Sequence, residues 1–375
     1  MIRVLGMMSG TSMDGVDAAM IETDGVRIGG FGRSAFRAYS DNESAALHAA
    51  LGCWPGDPGV AEAADISIAS HAAMAADFPD AGLIGYHGQT LAHDPQGRGT
   101  HQAGDGALLA KMANRPVVWD FRSEDVRQGG EGAPLAPFFH WACAGWAVGQ
   151  GHLPPQPVAF LNLGGVGNIT WVDPAAPAPE APGACLAFDT GPANAPINDL
   201  LRRRLRRSHD QDGVLAAAGR ADDAIVADFL RHPWFDRQPP KSLDRDQFAD
   251  LAPAVEPLTD ADAAATLVAA LTGAVAAGFR WLPQTPATVL VCGGGRRNPA
   301  IMARLAQDLP CDVQPVEAAG LDGDMLEAQA FGWLAARVMR GLPTSGPTTT
   351  GVPAPCCGGR ISYPRGQCGF FPARP

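Results

Sequence analysis

Residues 7–17 read MMSGTSMDGVD, in which Gly10 and Gly15 bracket Thr11, Ser12 and Asp14. The mix resembles a phosphate-cradling loop without its usual cation: there is no lysine or arginine, and there are two carboxylates, Asp14 and Asp17. A glycine-rich hairpin turn can still hold phosphate, because a tight turn aims several backbone N–H groups at one point. Magnesium held through water by a carboxylate such as Asp14 would then neutralise the charge. A second turn, GGVGN at 164–168, lies about 155 residues further on. Two such turns facing each other would grip the β- and γ-phosphates of a nucleotide. Taken alone, either segment is more simply a structural turn. Neither fits GxxxxGK[ST], which excludes a P-loop NTPase. GGVGNIT lacks the last glycine of GxGxxG and runs into a strand, which argues against a dinucleotide fold.

Other segments carry further candidates. FDTGPAN at 188–194 puts Asp189 at the end of an apolar strand, ahead of a Gly-Pro turn and a helix. Phosphoryl transfer to a hydroxyl needs a base or orienting acceptor in such a place; the alternative is a helix N-cap. CGGGRRN at 292–298 follows an apolar strand, and its three glycines would let a flat ring such as a purine approach the backbone. Asn298 would hydrogen-bond that ligand or cap the next helix. GYHGQT (85–90), HQAGDGALLA (101–110) and WDFRSEDVRQGGEGAPL (119–135) bring His87, Gln89, Thr90, Gln102 and Asp105, donors and acceptors suited to sugar hydroxyls, and Arg122 and Arg127, suited to a carboxylate or phosphate. The run RRRLRR (202–207) reads as the solvated face of a helix rather than a nucleic-acid patch, and Cys356, Cys357 and Cys368 as a poor metal set.

The elements that must position these residues follow from hydrophobic patterning. Strand-like runs at 2–8, 16–22 and 26–39 suggest an antiparallel meander, followed by a helix at 59–78 and strands at 82–88 and 115–122. The order then restarts: strand 157–163, glycine turn, strand 169–172, a Pro/Ala-rich surface loop, strand 184–190, helices at 195–231 and 260–282, strand 288–292 and a helix at 324–339. This repetition, in a chain of 375 residues, predicts two similar α/β domains, 1–155 and 156–375, divided near QGHLPPQP. A formal charge of 28 − 39 = −11 argues against nucleic acid or an anionic membrane as partner. The start of the chain does not read as a signal peptide. No run reaches the ~18 apolar residues of a membrane span, and the scattered cysteines read as reduced thiols in a cytoplasmic protein.

Together, MSGTSMDGVD, YHGQT, DFR, GAPL, LNLGGVGNIT, FDTGPAN, PPKS, CGGGRRN and LEAQAFGWLA resemble the anhydro-N-acetylmuramic acid kinases of bacterial cell-wall recycling, in the family's order, from about residue 5 to 340. The resemblance implies an α/β fold of two actin/hexokinase-like (ribonuclease H-like) domains around an ATP cleft, with ATP and Mg²⁺ as cofactors, a small sugar as substrate and a homodimer as the family expectation. Gly10, Thr11, Ser12, Met13, Asp14, Gly15, Val16 and Asp17 match the family's ATP-phosphate loop. Gly164, Gly165 and Asn168 match the second phosphate loop, and Gly293, Gly294, Gly295 and Asn298 the adenosine loop. Asp189 matches the catalytic aspartate, and His87, Gln89, Thr90, Gln102, Asp120, Arg122 and Glu327 fall in motifs that face the sugar.

The reaction so implied opens a 1,6-anhydro sugar with water and phosphorylates the freed O6. An ordinary amino-sugar kinase, or an actin- or chaperone-like ATPase, are the alternatives. The polar loops at 85–135 and Asp189 count against a pure nucleotide switch. The sequence departs from the family pattern at Glu131, where GGQGAPL is usual, at Ala193, where FDTGPGN is usual, and in LDRDQF (243–248), where STGRExF is common. These departures put local geometry, and Lys241–Ser242 as a ligand contact, in question.

Overall fold

The computed structural model describes residues 1–243 and 247–364, so Cys368 and three residues of the LDRDQF segment lie outside the described residues. The chain forms two compact units. One comprises Met1–Trp146 and the chain from Met325 onward; the other is Ala147–Asp324. This differs from the expected division into 1–155 and 156–375. The chain instead returns to the first unit after Asp324, because the helix Leu326–Met339 packs on that unit's sheet.

In the first unit, β1 (Ile2–Ser9), β2 (Gly15–Thr23) and β3 (Ile28–Ala38) form an antiparallel meander. β4 (Leu83–Asp94) lies parallel to β1, and β6 (Val117–Trp119) parallel to β4; β5 (Gly99–Ala103) folds back antiparallel on β4. In the second unit, β7 (Val158–Leu163), β8 (Val166–Val172) and β9 (Cys185–Pro192) form the meander. β10 (Thr288–Cys292) lies parallel to β7, and β11 (Asp312–Pro315) parallel to β10. The spatial orders β3-β2-β1-β4-β6 and β9-β8-β7-β10-β11 are the same, each an antiparallel meander followed by two parallel strands. This repeated order is the ribonuclease H-like, actin/hexokinase-like arrangement expected from sequence.

Close approach explains how the returning helix seats. A Cβ on Gly6 of β1 would lie 1.7 Å from the Ala328 carbonyl oxygen, and one on Gly85 of β4 2.1 Å from that of Phe331. Only glycine lets the helix backbone lie directly on the two central strands. Beyond the helix, the tail adds β12 (Arg360–Ser362) antiparallel to β6.

The second unit's core is built on directly paired residues: Leu161, Ile169 and Phe188 line up across β7, β8 and β9, all essentially inaccessible. The helix Asp260–Gly278 covers them with Leu267, Leu271 and Val275. Against the sequence expectation, the stretch Asp260–Trp281 is long and apolar enough, by length and composition, to cross a membrane; 67% of its most apolar window is buried inside the structure. The basic run falls on the helix Asn194–Leu205, where Arg202 pairs with Asp199, Arg203 with Glu256, and Arg204 with Glu256 and Asp260.

Candidate active site

In the first unit, the β1–β2 turn is held from below rather than from its own side chains. Met13 has φ 53°, and its N–H donates to the Gly10 carbonyl at 3.2 Å. Its side chain is buried among Val16, Tyr39 and Leu47, so it anchors the turn instead of pointing outward. The Met13 carbonyl accepts the Ser44 hydroxyl and the Asp14 carbonyl accepts the Tyr39 N–H, both at 2.9 Å. This leaves Thr11, Ser12 and Asp14 exposed, with the Ser12 hydroxyl donating to Asp14 Oδ1 at 2.9 Å. Gly15, Val16 and Asp17 continue into β2 as paired strand residues.

Gln89 serves this turn and is fully buried, not open to a sugar. Its Nε2 donates to the Gly10 carbonyl at 3.1 Å, and its Oε1 accepts the Ser9 hydroxyl at 2.5 Å; Ser9 in turn accepts the Tyr39 hydroxyl. A buried amide with both ends satisfied rigidifies what it joins.

His87, Arg122 and Glu327 do come together. Arg122 Nε donates to His87 Nε2 at 3.0 Å, and Arg122 Nη1 donates to the Gly132 carbonyl at 2.8 Å. His87 Nδ1 faces the Gly88 carbonyl at 2.9 Å, so the ring is the neutral tautomer with hydrogen on Nδ1. Burial, then the Arg122 charge, hold its pKa well below the usual imidazole range. Burial also lowers Arg122 to about 10, opposed by Glu327 and Asp125. The Glu327 side chain reaches solvent, yet the protein around it desolvates the carboxyl and raises its pKa, with Arg122 opposing. With both His87 nitrogens occupied, Arg122 and the Glu327 carboxyl are the groups of this cluster left to meet a ligand. Thr90 and Gln102 face each other across β4 and β5, with Gln102 Nε2 donating to the Thr90 hydroxyl at 3.3 Å. Asp120 stands apart: with φ 55°, it accepts the Ser123 hydroxyl and pairs with Arg360 at 2.9 Å. Asp105 caps the helix Gly106–Ala113, and Arg127 pairs with Glu124. Glu131 accepts Gln96 Nε2 at 2.9 Å, so its charge is accommodated beside an amide.

In the second unit, Asn162, Asn168 and Asp189 are directly paired across β7, β8 and β9, and Cys292 of β10 pairs with Asn162. Strand alternation turns this polar row to the sheet face opposite Leu161, Ile169 and Phe188. Asp189 does not cap the following helix; that helix begins after Ala193 with no side-chain cap. Instead Asp189 grips the 241–243 segment, its N–H donating to the Lys241 carbonyl at 3.0 Å and its Oδ2 accepting the Leu243 N–H at 2.8 Å. Oδ1 has no hydrogen bond among the described residues. Burial raises the Asp189 pKa to about 6, with the Leu243 hydrogen bond and the Lys241 charge pulling the other way. Lys241 lies over the Trp234 ring at 4.1 Å, and burial followed by Arg280 and Arg237 lowers its pKa to about 8. A carboxylate that titrates near 6 is matched to general-base work close to neutrality.

The turn at Gly164 and Gly165 is cross-braced by the start of the next helix. The Asn194 N–H donates to the Gly164 carbonyl, those of Ala193 and Ala195 to Gly165, and Asn194 Nδ2 to the Leu163 carbonyl at 2.7 Å. Gly293 has φ 70°, and Gly294 and Gly295 open a short 3₁₀ turn. Asn298 caps the helix Pro299–Asp308, accepting from the N–H groups of Ala300 and Ile301. Beside this turn lies a cavity of about 560 Å³ lined by Asn194, Arg202, His209, Gly294, Arg297 and Asn298. Asn162 and Asn194 escaped the residue-by-residue reading, although both stand inside quoted motifs. Asp125 escaped it because its partners lie far along the chain.

The profile of the family described as "Anhydro-N-acetylmuramic acid kinase" matches residues 60–364. A protein of that name from Cereibacter sphaeroides is 64% identical over 363 residues, covering 97% of this chain and 96% of its own. Similar proteins from a Jannaschia species and a Ruegeria species are 59% and 56% identical, covering 96% and 97% of this chain and 94% and 96% of their own. With the geometry above, these matches show that the chain belongs to the anhydro-N-acetylmuramic acid kinase family.

Proposed function

We propose that this protein is an ATP- and Mg²⁺-dependent kinase that opens 1,6-anhydro-N-acetylmuramic acid with water and phosphorylates it at O6, yielding N-acetylmuramate 6-phosphate and ADP in peptidoglycan recycling. The observation that carries the reading is Asp189: a carboxylate in a half-buried polar row, with one oxygen bonded and the other without a hydrogen bond among the described residues, and a pKa near 6. Asp189 takes a proton from water as the water oxygen bonds C1. The C1–O6 bond breaks, and O6 attacks the γ-phosphorus while ADP leaves. One carboxylate is enough because phosphorus captures the leaving oxygen, whereas an inverting glycosidase needs a second acid.

The turn of Gly10, Thr11, Ser12 and Asp14 and the turn of Gly164 and Gly165 serve as phosphate loops, and the cavity beside Gly294 takes the adenosine. Thr90, Gln102, Arg122 and Glu327 serve the sugar, His87 acting through the Arg122 guanidinium, while Asp120 is taken by Ser123 and Arg360. The Asp14 side chain is exposed and, among the described residues, accepts only the Ser12 hydroxyl, which fits a carboxylate that meets Mg²⁺ through water. Asp14 would hold the ion beside the nucleotide phosphates; among the described residues there is no cluster of three metal-ligating side chains. The ion's contribution is charge neutralisation of the transferring phosphoryl group. The cytoplasm and a homodimer complete the reading.

The test is turnover with ATP, Mg²⁺ and the anhydro sugar in ¹⁸O-enriched water. The expected product is a 6-phosphate carrying ¹⁸O at C1. ADP formation without that label overturns the coupled mechanism and leaves an ordinary sugar kinase.

A further inference from the structure

One buried carboxylate has no part in the chemistry just described. Asp125, on the short helix Ser123–Arg127, is 1% exposed and has no ion-pair partner among the described residues. Three donors hold it. Oδ1 accepts the Gly132 N–H at 2.7 Å, and Oδ2 accepts the Ser345 hydroxyl and the Thr350 hydroxyl, the latter at 2.6 Å. The backbone reinforces the same junction, since the Glu131 N–H donates to the Thr350 carbonyl at 2.7 Å and the Gly130 N–H to the Asp125 carbonyl at 2.9 Å. A buried carboxylate without a direct ion pair is costly to keep, so its three donors are needed, with the Arg122 charge acting on it from a greater distance.

Gly132 connects this junction to the sugar-side cluster. Its N–H goes to Asp125, and its carbonyl takes Arg122 Nη1, whose Nε fixes His87. A Cβ on Gly132 would lie 2.6 Å from Val126 Cγ2, so the turn sits tightly against the Asp125 helix. We infer that Asp125 is a positioning residue: by clamping the 129–132 turn to the 345–350 segment, it sets the Arg122 guanidinium and, through it, the His87 ring. Asp125 never touches the substrate. The chain from 345 to 350, outside every sequence motif, thereby becomes part of the substrate machinery. The inference rests on the proposed function for its kinetic consequence, not for its geometry.

Asp125→Asn keeps the shape and removes the charge, and Thr350→Val removes one donor while leaving Asp125 in place. Both variants are compared with wild type in three measurements: KM for the anhydro sugar, affinity for a non-hydrolysable ATP analogue, and the ¹⁵N signals of the His87 ring. The expected result is a sugar KM raised roughly tenfold or more in Asp125→Asn, in line with the cost of small misplacements. Thr350→Val shifts it in the same direction by less. ATP-analogue affinity stays within about twofold, and the His87 Nε2 signal moves as its Arg122 bond loosens. A sugar KM within about twofold of wild type, an unmoved His87 signal, or a parallel loss of nucleotide affinity overturns the assignment. Wild-type turnover tests the proposed function separately, and the His87 signal reads the Asp125 link without any turnover.

Discussion

The backbone N–H of Leu243 donates to Oδ2 of Asp189 at 2.8 Å, while the N–H of Asp189 donates to the carbonyl of Lys241 at 3.0 Å. The candidate base is thus locked to a segment 54 residues away by its own backbone and carboxylate together. That lock orients the remaining oxygen, and burial around it raises the pKa to about 6.

The acid limb of kcat/KM is therefore expected near pH 6, with activity falling below it as Asp189 takes up a proton. Asp189→Asn abolishes turnover and keeps nucleotide binding. A pH–rate profile and a binding titration check both.

The same shift has a stability consequence. Asp189 has a folded pKa above its unfolded value, so its protonated form is favoured on folding; that stabilisation is present below pH 4 and lost as pH rises through 6. At neutral pH the ionised carboxylate is a burden of about 1–3 kcal/mol. Asp189→Asn is expected to raise Tm by several degrees at pH 7.5 and by little at pH 4, as a thermal melt at each pH will show.

Lys241 lowers the Asp189 pKa through its charge. Lys241→Met keeps the side-chain length and the stacking on Trp234 but removes that charge. The acid limb of the pH profile should move up by roughly half a unit to one unit. An unmoved limb means that the Lys241 charge has no bearing on the base.

Gln89 joins Gly10 to Ser9 inside the first unit. Gln89→Ala leaves the Ser9 hydroxyl and the Gly10 carbonyl without those partners, a cost of about 2–3 kcal/mol for buried groups. Urea unfolding should show that loss. KM for ATP should rise as the turn of Thr11, Ser12 and Asp14 loosens.

Asn298 caps the helix Pro299–Asp308 with its side-chain oxygen. Asn298→Ala should cost about 1 kcal/mol, and Asn298→Asp, another good cap, should restore it. If nucleotide affinity follows stability in both variants, the cap is the whole role of this side chain. A loss of affinity in Asn298→Asp alone assigns it a direct ligand contact.

What the sequence by itself determined is local. Glycine turns between apolar runs marked both candidate phosphate loops, and strand patterning marked the repeated meander, because turn chemistry and period-2 burial are set by neighbours along the chain. Asp189 at a strand end was legible for the same reason, and family resemblance supplied the role proposed for it. Three relationships belong to the tertiary structure alone. Gln89 turns to Gly10, 79 residues away, and not outward. Asp125 meets Ser345 across 220 residues. The chain beyond Asp324 returns to the first unit through the glycines at 6 and 85. Hydrogen-bond partners and backbone contacts at such separations leave no periodic signal in the sequence, since they depend on which strands pair and where a helix is allowed to lie.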